Sequence, residues 1–107
     1  MLYNKSMSHK NRLYKFKAIL REQLPMLKEQ YHVATLEVFG SYVRHEEKTN
    51  SDLDILVTFS KAPSILKFIR LENHLSEVLG VKVDLVLKDS LKPAIGKRIL
   101  SEAEPVL

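Results

Sequence analysis

Three aspartates and a Gly-Ser pair are the residues of this chain best suited to chemistry. Asp52 and Asp54 stand two apart in residues 52–59 (DLDILVTF), a segment otherwise apolar except for Thr58. In a strand, such residues project to the same side, with Cα atoms about 6.5 Å apart. Like charges so placed repel each other, and each is costly to desolvate. A hard cation between them removes both penalties. Magnesium takes such oxygen ligands and completes its shell with water and phosphate oxygens. Asp84 lies in a second apolar segment, residues 81–87 (VKVDLVL), an odd place for an acid if that element is buried. If the two strands are neighbours, the three carboxylates converge on a pair of ions roughly 4 Å apart, as in two-metal phosphoryl transfer.

Gly40 and Ser41 complement the acids. A glycine between a strand and a helix lets backbone approach a ligand closely. The first amides of a helix lack intrahelical acceptors and suit phosphate. The Ser41 hydroxyl adds a donor, and Arg44, one turn on, is placed to fork onto phosphate oxygens. Each feature also has an ordinary structural use. Gly-Ser serves as a turn and helix cap, Asp-x-Asp as the start of a strand, and Asp84 as the partner of a lysine. Their joint occurrence, with ten residues between Ser41 and Asp52, favours chemistry.

The elements that must position these residues follow from periodicity. Residues 11–24 carry Leu13, Phe16, Ile19, Leu20 and Leu24 at helical spacing. Pro25 is expected to break that helix, with residues 26–31 a further short turn. Residues 35–39 (TLEVF) alternate as a strand closed by Gly40. Ser41 is expected to cap a short helix to residue 46, before a polar loop at 48–51. The strongest strand spans 52–59, with Ile55, Val57 and Phe59 on one face. Pro63 opens a helix that Gly80 closes. A third strand covers 81–87. Ser90 is expected to cap a last helix, with Pro93 in its first turn and core contacts from Ile95, Ile99 and Leu100. The alternation predicts one layered α/β domain over residues 1–107.

Composition bounds the function. The 107 residues are 45% hydrophobic and 28% charged, within the range of globular proteins. Without cysteine there are no disulfides, thiolate nucleophiles or cysteine zinc sites, which fits a cytoplasmic location. No apolar run approaches the roughly 20 residues of a membrane span. Residues 1–10 are polar and unlike a signal peptide. A net charge of +4 suits nucleic acid, triphosphate or an acidic partner, and equally a lysine-rich soluble surface. Neither an aromatic RNA-binding signature nor a basic region with heptads is present, so direct nucleic-acid binding is not expected.

The pattern Gly40-Ser41, ten residues, Asp52-Leu53-Asp54, then Asp84 on a later strand resembles the minimal nucleotidyltransferases of the DNA polymerase β superfamily. VFGSYVR and SDLDILVTF are similar to that family's characteristic stretches, and the likeness covers residues 33–97. One departure is His45, where glycine commonly follows the arginine, so the turn there is less free. The resemblance implies the polymerase β-like fold, an α+β arrangement of a small mixed sheet with flanking helices. It also implies ATP as substrate, with two magnesium ions (or manganese) on Asp52, Asp54 and Asp84, and Gly40, Ser41 and Arg44 on the nucleotide. Family members of this size resemble antitoxins paired with a HEPN-domain toxin, onto whose tyrosine they transfer AMP. Two other expectations are an antitoxin acting by contact alone, and transfer to a small-molecule hydroxyl. A chain of this length leaves little material for an acceptor module of its own.

Overall fold

The computed structural model describes residues 5–107, with side chains from Arg12 onward. Residues 1–4, part of the stretch read above as a polar N-terminus, lie outside the described residues.

A 27-residue helix, α1 (Lys5–Tyr31), runs straight through Pro25. The expected break is therefore a correction. Leu13, Phe16, Leu20, Leu24 and Leu27 are all buried, and this stripe continues across an exposed Pro25. Burying Leu27 beyond the proline, with Met26 and Tyr31 packed partly against the same core, outweighs the one hydrogen bond that its missing N–H forgoes.

The sheet has four strands in the order β3-β2-β1-β4. Strand β1 (Val33–Phe39) pairs antiparallel with β2 (Leu53–Phe59), and β2 pairs parallel with β3 (Val83–Leu87). The parallel pair needs a crossover. That crossover is α3 (Ile65–Leu79), capped by the Ser64 hydroxyl at its start and by Gly80, at φ 68°, at its end. A short strand, β4 (Glu104–Pro105), pairs antiparallel with β1 and was not anticipated. Two residues, the second a proline, give no periodicity to read.

Alternation divides the sheet into two faces. Leu36, Val38, Leu53, Ile55, Val57, Val83 and Leu85 join α1 and the buried Leu71, Leu75 and Leu79 of α3 in one core. The opposite face carries Phe39, Asp54, Leu56 and Asp84. The exposed edge of β3 is blunted: Glu72 Oε2 accepts the Leu85 N–H at 2.9 Å, and Ser76 Oγ accepts that of Val83 at 2.9 Å. Side chains of α3 thus take edge amides that would otherwise template another strand.

After β3, Lys88–Ser90 forms a 3-10 turn, so Ser90 is not the cap of the last helix; its hydroxyl donates to the Leu87 carbonyl. Helix α4 (Pro93–Glu102) begins at Pro93 with Lys92 as N-cap. Of its expected core residues, Ile95 is 61% and Leu100 47% exposed, so only Ile99 is partly covered. Among the described residues no helix is long and apolar enough to cross a membrane.

Candidate active site

The site forms where β1 gives way to α2 (Ser41–Arg44). Gly40 has φ 83° and ψ −154°, backbone territory all but reserved for glycine. Its carbonyl accepts the amides of Val43 and Arg44 at 3.0 and 3.1 Å, which winds the following turn. Tyr42 anchors that turn. It is fully buried, stacks edge-on against Phe16 with ring centroids 5.5 Å apart, and its hydroxyl accepts from Arg12 Nη2 at 3.0 Å. The departure at His45 is absorbed by the backbone. His45 takes the left-handed conformation, φ 60° and ψ 38°, and its N–H reaches the Ser41 carbonyl. Arg44 thus completes the helical turn directly before His45, although a side chain stands where a glycine would be unstrained.

Across from Gly40, Asp54 lies in β2 between two partners. Its Cα is paired with Phe39 on one side and with Asp84 on the other. Asp54 and Asp84 are thus register neighbours on one face, as the strand spacing implied. Asp84 is exposed, because β3 is an edge strand with an open outer face and not an element buried on both sides. That corrects the reading of Asp84 as a buried acid. Asp52 precedes β2 with its side chain 40% exposed, and Lys82 Nζ lies 4.0 Å from Oδ2.

Burial pushes the Asp54 carboxyl up, and the negative charges of Asp84 and Asp52 push it further, to about 6, while Arg44 works the other way. Negative charge therefore prevails around Asp54, with Arg44 offsetting part of it. Among the described residues no three acidic or histidine side chains already converge as a metal cage. The donor set still fits magnesium in its usual protein setting, in which one or two carboxylates hold the ion and substrate phosphate oxygens supply further ligands.

Facing Asp54, one stripe of α4 (Ile95, Arg98, Ile99 and Glu102) walls a cleft of about 300 Å³ with Phe39, Gly40, Arg44 and Asp54. Glu102 is the residue that sequence reasoning missed. Its Oε2 accepts the Gly40 N–H at 2.7 Å, and Arg44 Nη1 donates to both of its oxygens at 2.9 and 3.0 Å. Burial works to raise this carboxyl, but the bonds from Gly40 and Arg44 prevail and hold it below the usual range. Arg44 also donates from Nε to Glu46 at 3.0 Å. A faint signal was available: an acid in the last turn of a helix opposes the macrodipole.

The arrangement sets Asp54, with Asp84 beside it in register and Asp52 just before its strand, across from a glycine-hinged turn with an adjacent arginine. The description of the nucleotidyltransferase domain matches residues 14–106 of this chain. The chain belongs to that family. It is 50% identical over 90 residues to the protein adenylyltransferase MntA of Thermococcus cleftensis, covering 84% of this chain and 91% of that one. A solved minimal nucleotidyltransferase is similar with a TM-score of 0.69 and 33% identity, over 91% of this chain and 94% of that one. A toxin–antitoxin complex solved with AMP-PNP shares the fold, with a TM-score of 0.64 at 24% identity, over 91% and 71% of the two chains. The mixed four-stranded sheet with flanking helices is thus the nucleotidyltransferase fold, with Gly40, Arg44 and Asp54 around one cleft and Asp84 beside Asp54 in register.

Proposed function

We propose that this nucleotidyltransferase moves AMP from ATP onto a hydroxyl of a partner protein, a HEPN-type toxin, and so acts as its antitoxin. The acceptor we assign is a tyrosine. One observation carries the reading: the acids and the Gly-Ser turn are intact and grouped in a chain half identical to a named protein adenylyltransferase. The shared fold with a toxin–antitoxin complex supports the partner class.

In this reading Gly40, Ser41 and Arg44 hold the β- and γ-phosphates, and Asp52 and Asp54 hold two magnesium ions together with Asp84. Bound magnesium supplies charge neutralisation at the phosphates. Asp84, exposed on the edge strand, is open to an incoming acceptor and takes the hydroxyl proton. The acceptor oxygen bonds to the α-phosphorus, the bond from that phosphorus to the bridging oxygen breaks, and pyrophosphate leaves. Positioning and electrostatics do most of the work. The open face around Asp84 is consistent with an acceptor brought by another protein. A cytoplasmic setting, where ATP and magnesium are abundant, suits the reaction.

The deciding experiment mixes the protein with its partner, ATP and magnesium and measures the partner's intact mass. Expected is a gain of one or more AMP residues, which persists after the two proteins are separated. Asp84→Asn should stop transfer while the complex still forms. An unchanged mass, with toxin activity restored on separation, would leave inhibition by contact as the function.

A further inference from the structure

We propose that Glu102 is a positioning residue for the phosphate subsite, bracing the Gly40 amide and the Arg44 guanidinium in the arrangement that receives the nucleotide. The inference rests on the reading of Gly40, Ser41 and Arg44 as the phosphate contacts.

A carboxylate offers acceptors only, and Glu102 spends both oxygens on this turn. Oε2 takes the Gly40 N–H at 2.7 Å, while Arg44 Nη1 reaches both oxygens. Glu46 takes Nε of the same guanidinium. Arginine has five N–H donors, so donors remain for a ligand oxygen after these bonds are made. The Glu102 side chain is 17% exposed and that of Arg44 37%, so solvent screens the arginine end of the pair while the carboxylate is the better covered partner.

The hydrogen bonds of Glu102 all lead away from its own helix. It stands in the last turn of α4, where the helix dipole disfavours an acid, and Arg98 one turn earlier adds only an attractive charge. The rest of α4 is thinly attached, with Ile95, Leu100 and Arg98 exposed and Gly96 seated against Leu91. What the helix delivers to the sheet is a carboxylate, carried to a turn some sixty positions earlier in the chain. The physical effect is preorganisation. An arginine whose rotamer is already held, and a glycine peptide already oriented, spare the ligand the ordering cost of both.

The test titrates magnesium AMP-PNP into wild type, Glu102→Ala, Glu102→Gln and Glu102→Asp, and follows ATP steady-state kinetics in parallel. Glu102→Ala should weaken binding about tenfold or more, the scale of one charge-assisted hydrogen bond. The loss should appear in KM more than in kcat. Glu102→Gln keeps an acceptor for Gly40 but gives up the ionic pair, and should fall between the two; it also serves if the alanine variant fails to fold. On an Arg44→Ala background most of the loss should vanish, because the brace acts through that residue. A merely structural role would instead lower the melting temperature and add to the Arg44 loss. Tighter binding in the alanine or glutamine variant would show that the carboxylate competes with phosphate, overturning the brace. Unaltered binding in the variants overturns it as well, and leaves the site reading intact. A wild type that binds no magnesium AMP-PNP overturns both.

Discussion

Gly40 faces Asp54 so closely that a β-carbon on the glycine would overlap Asp54 Oδ2 and lie 2.9 Å from its Cγ. The glycine is therefore a spatial requirement of the acid opposite, as well as a conformational one at φ 83°. Gly40→Ala should cost about 1–3 kcal/mol from backbone strain alone. It should also push the Asp54 carboxylate aside and lower transfer by about a hundredfold or more, as misplacement at an active site does. Denaturant unfolding and kinetics check the two halves. Normal activity in a destabilised protein would mean that Asp54 accommodates the methyl without consequence.

Asp54 also predicts a pH dependence. With its carboxyl raised from 3.8 to about 6, the folded state binds the proton more tightly than the unfolded state does. That contribution is fully present below about pH 4 and is lost as pH rises through 6. Asp54→Asn, which cannot ionise, should match wild type near pH 4 and exceed it at pH 7.5 by about 1–2 kcal/mol, after allowance for solvent screening. Magnesium with nucleotide should narrow the gap by stabilising only the wild type. A variant less stable than wild type at pH 7.5 would make Asp54 a structural anchor.

At His45 the left-handed backbone costs an ordinary residue about 1–2 kcal/mol, while glycine pays part of that back in unfolded-state freedom. His45→Gly should hold the melting temperature level or raise it, and AMP-PNP affinity should stay within about twofold of wild type. A clear loss of affinity would assign the imidazole a part in the site.

Along the edge of β3, Glu72→Ala removes the acceptor of the Leu85 amide and should cost about 1–3 kcal/mol. It also opens an edge for strand pairing, so light scattering should detect concentration-dependent association absent from the wild type. Glu72→Gln keeps an acceptor and should behave normally. Equal stability of the alanine variant would show that water serves that amide as well.

The acids and the Gly-Ser turn were legible because their chemistry conflicts with their surroundings: charge in apolar strands, glycine at a strand end. That Asp54 and Asp84 share a face followed from alternation once β2 and β3 were taken as neighbours; their pairing in register did not, since alternation fixes the face and not the partner. Boundaries were less visible. Pro25 sits on the exposed side of a stripe whose packing overrides it, and local propensity cannot report that. Ser90 and Pro93 both advertise a helix start, and only the turn at Lys88–Ser90 decides between them. Ile95 and Leu100 have the spacing of core residues, yet both stay exposed, Ile95 on the wall of an open cleft, because the helix has little beneath it. Glu102 was hidden for another reason: its partners lie far away in the chain, and an acid near a helix end is too faint a signal to name them before the chain is folded.

The pairing of β2 with β3 also bears on how the chain avoids folding wrongly. A strand that slips by one residue turns every side chain to the other face. Slipping β3 would drive Asp84 toward the leucines of α1 and α3 and expose Val83 and Leu85, which are buried when the strand is correctly placed. Burying an unpaired carboxylate costs several kcal/mol or its proton. The aspartate proposed to serve transfer therefore also marks the strand's correct position, penalising the misaligned sheet. Replacing it by an apolar residue would remove a safeguard against heterogeneity in the folded population.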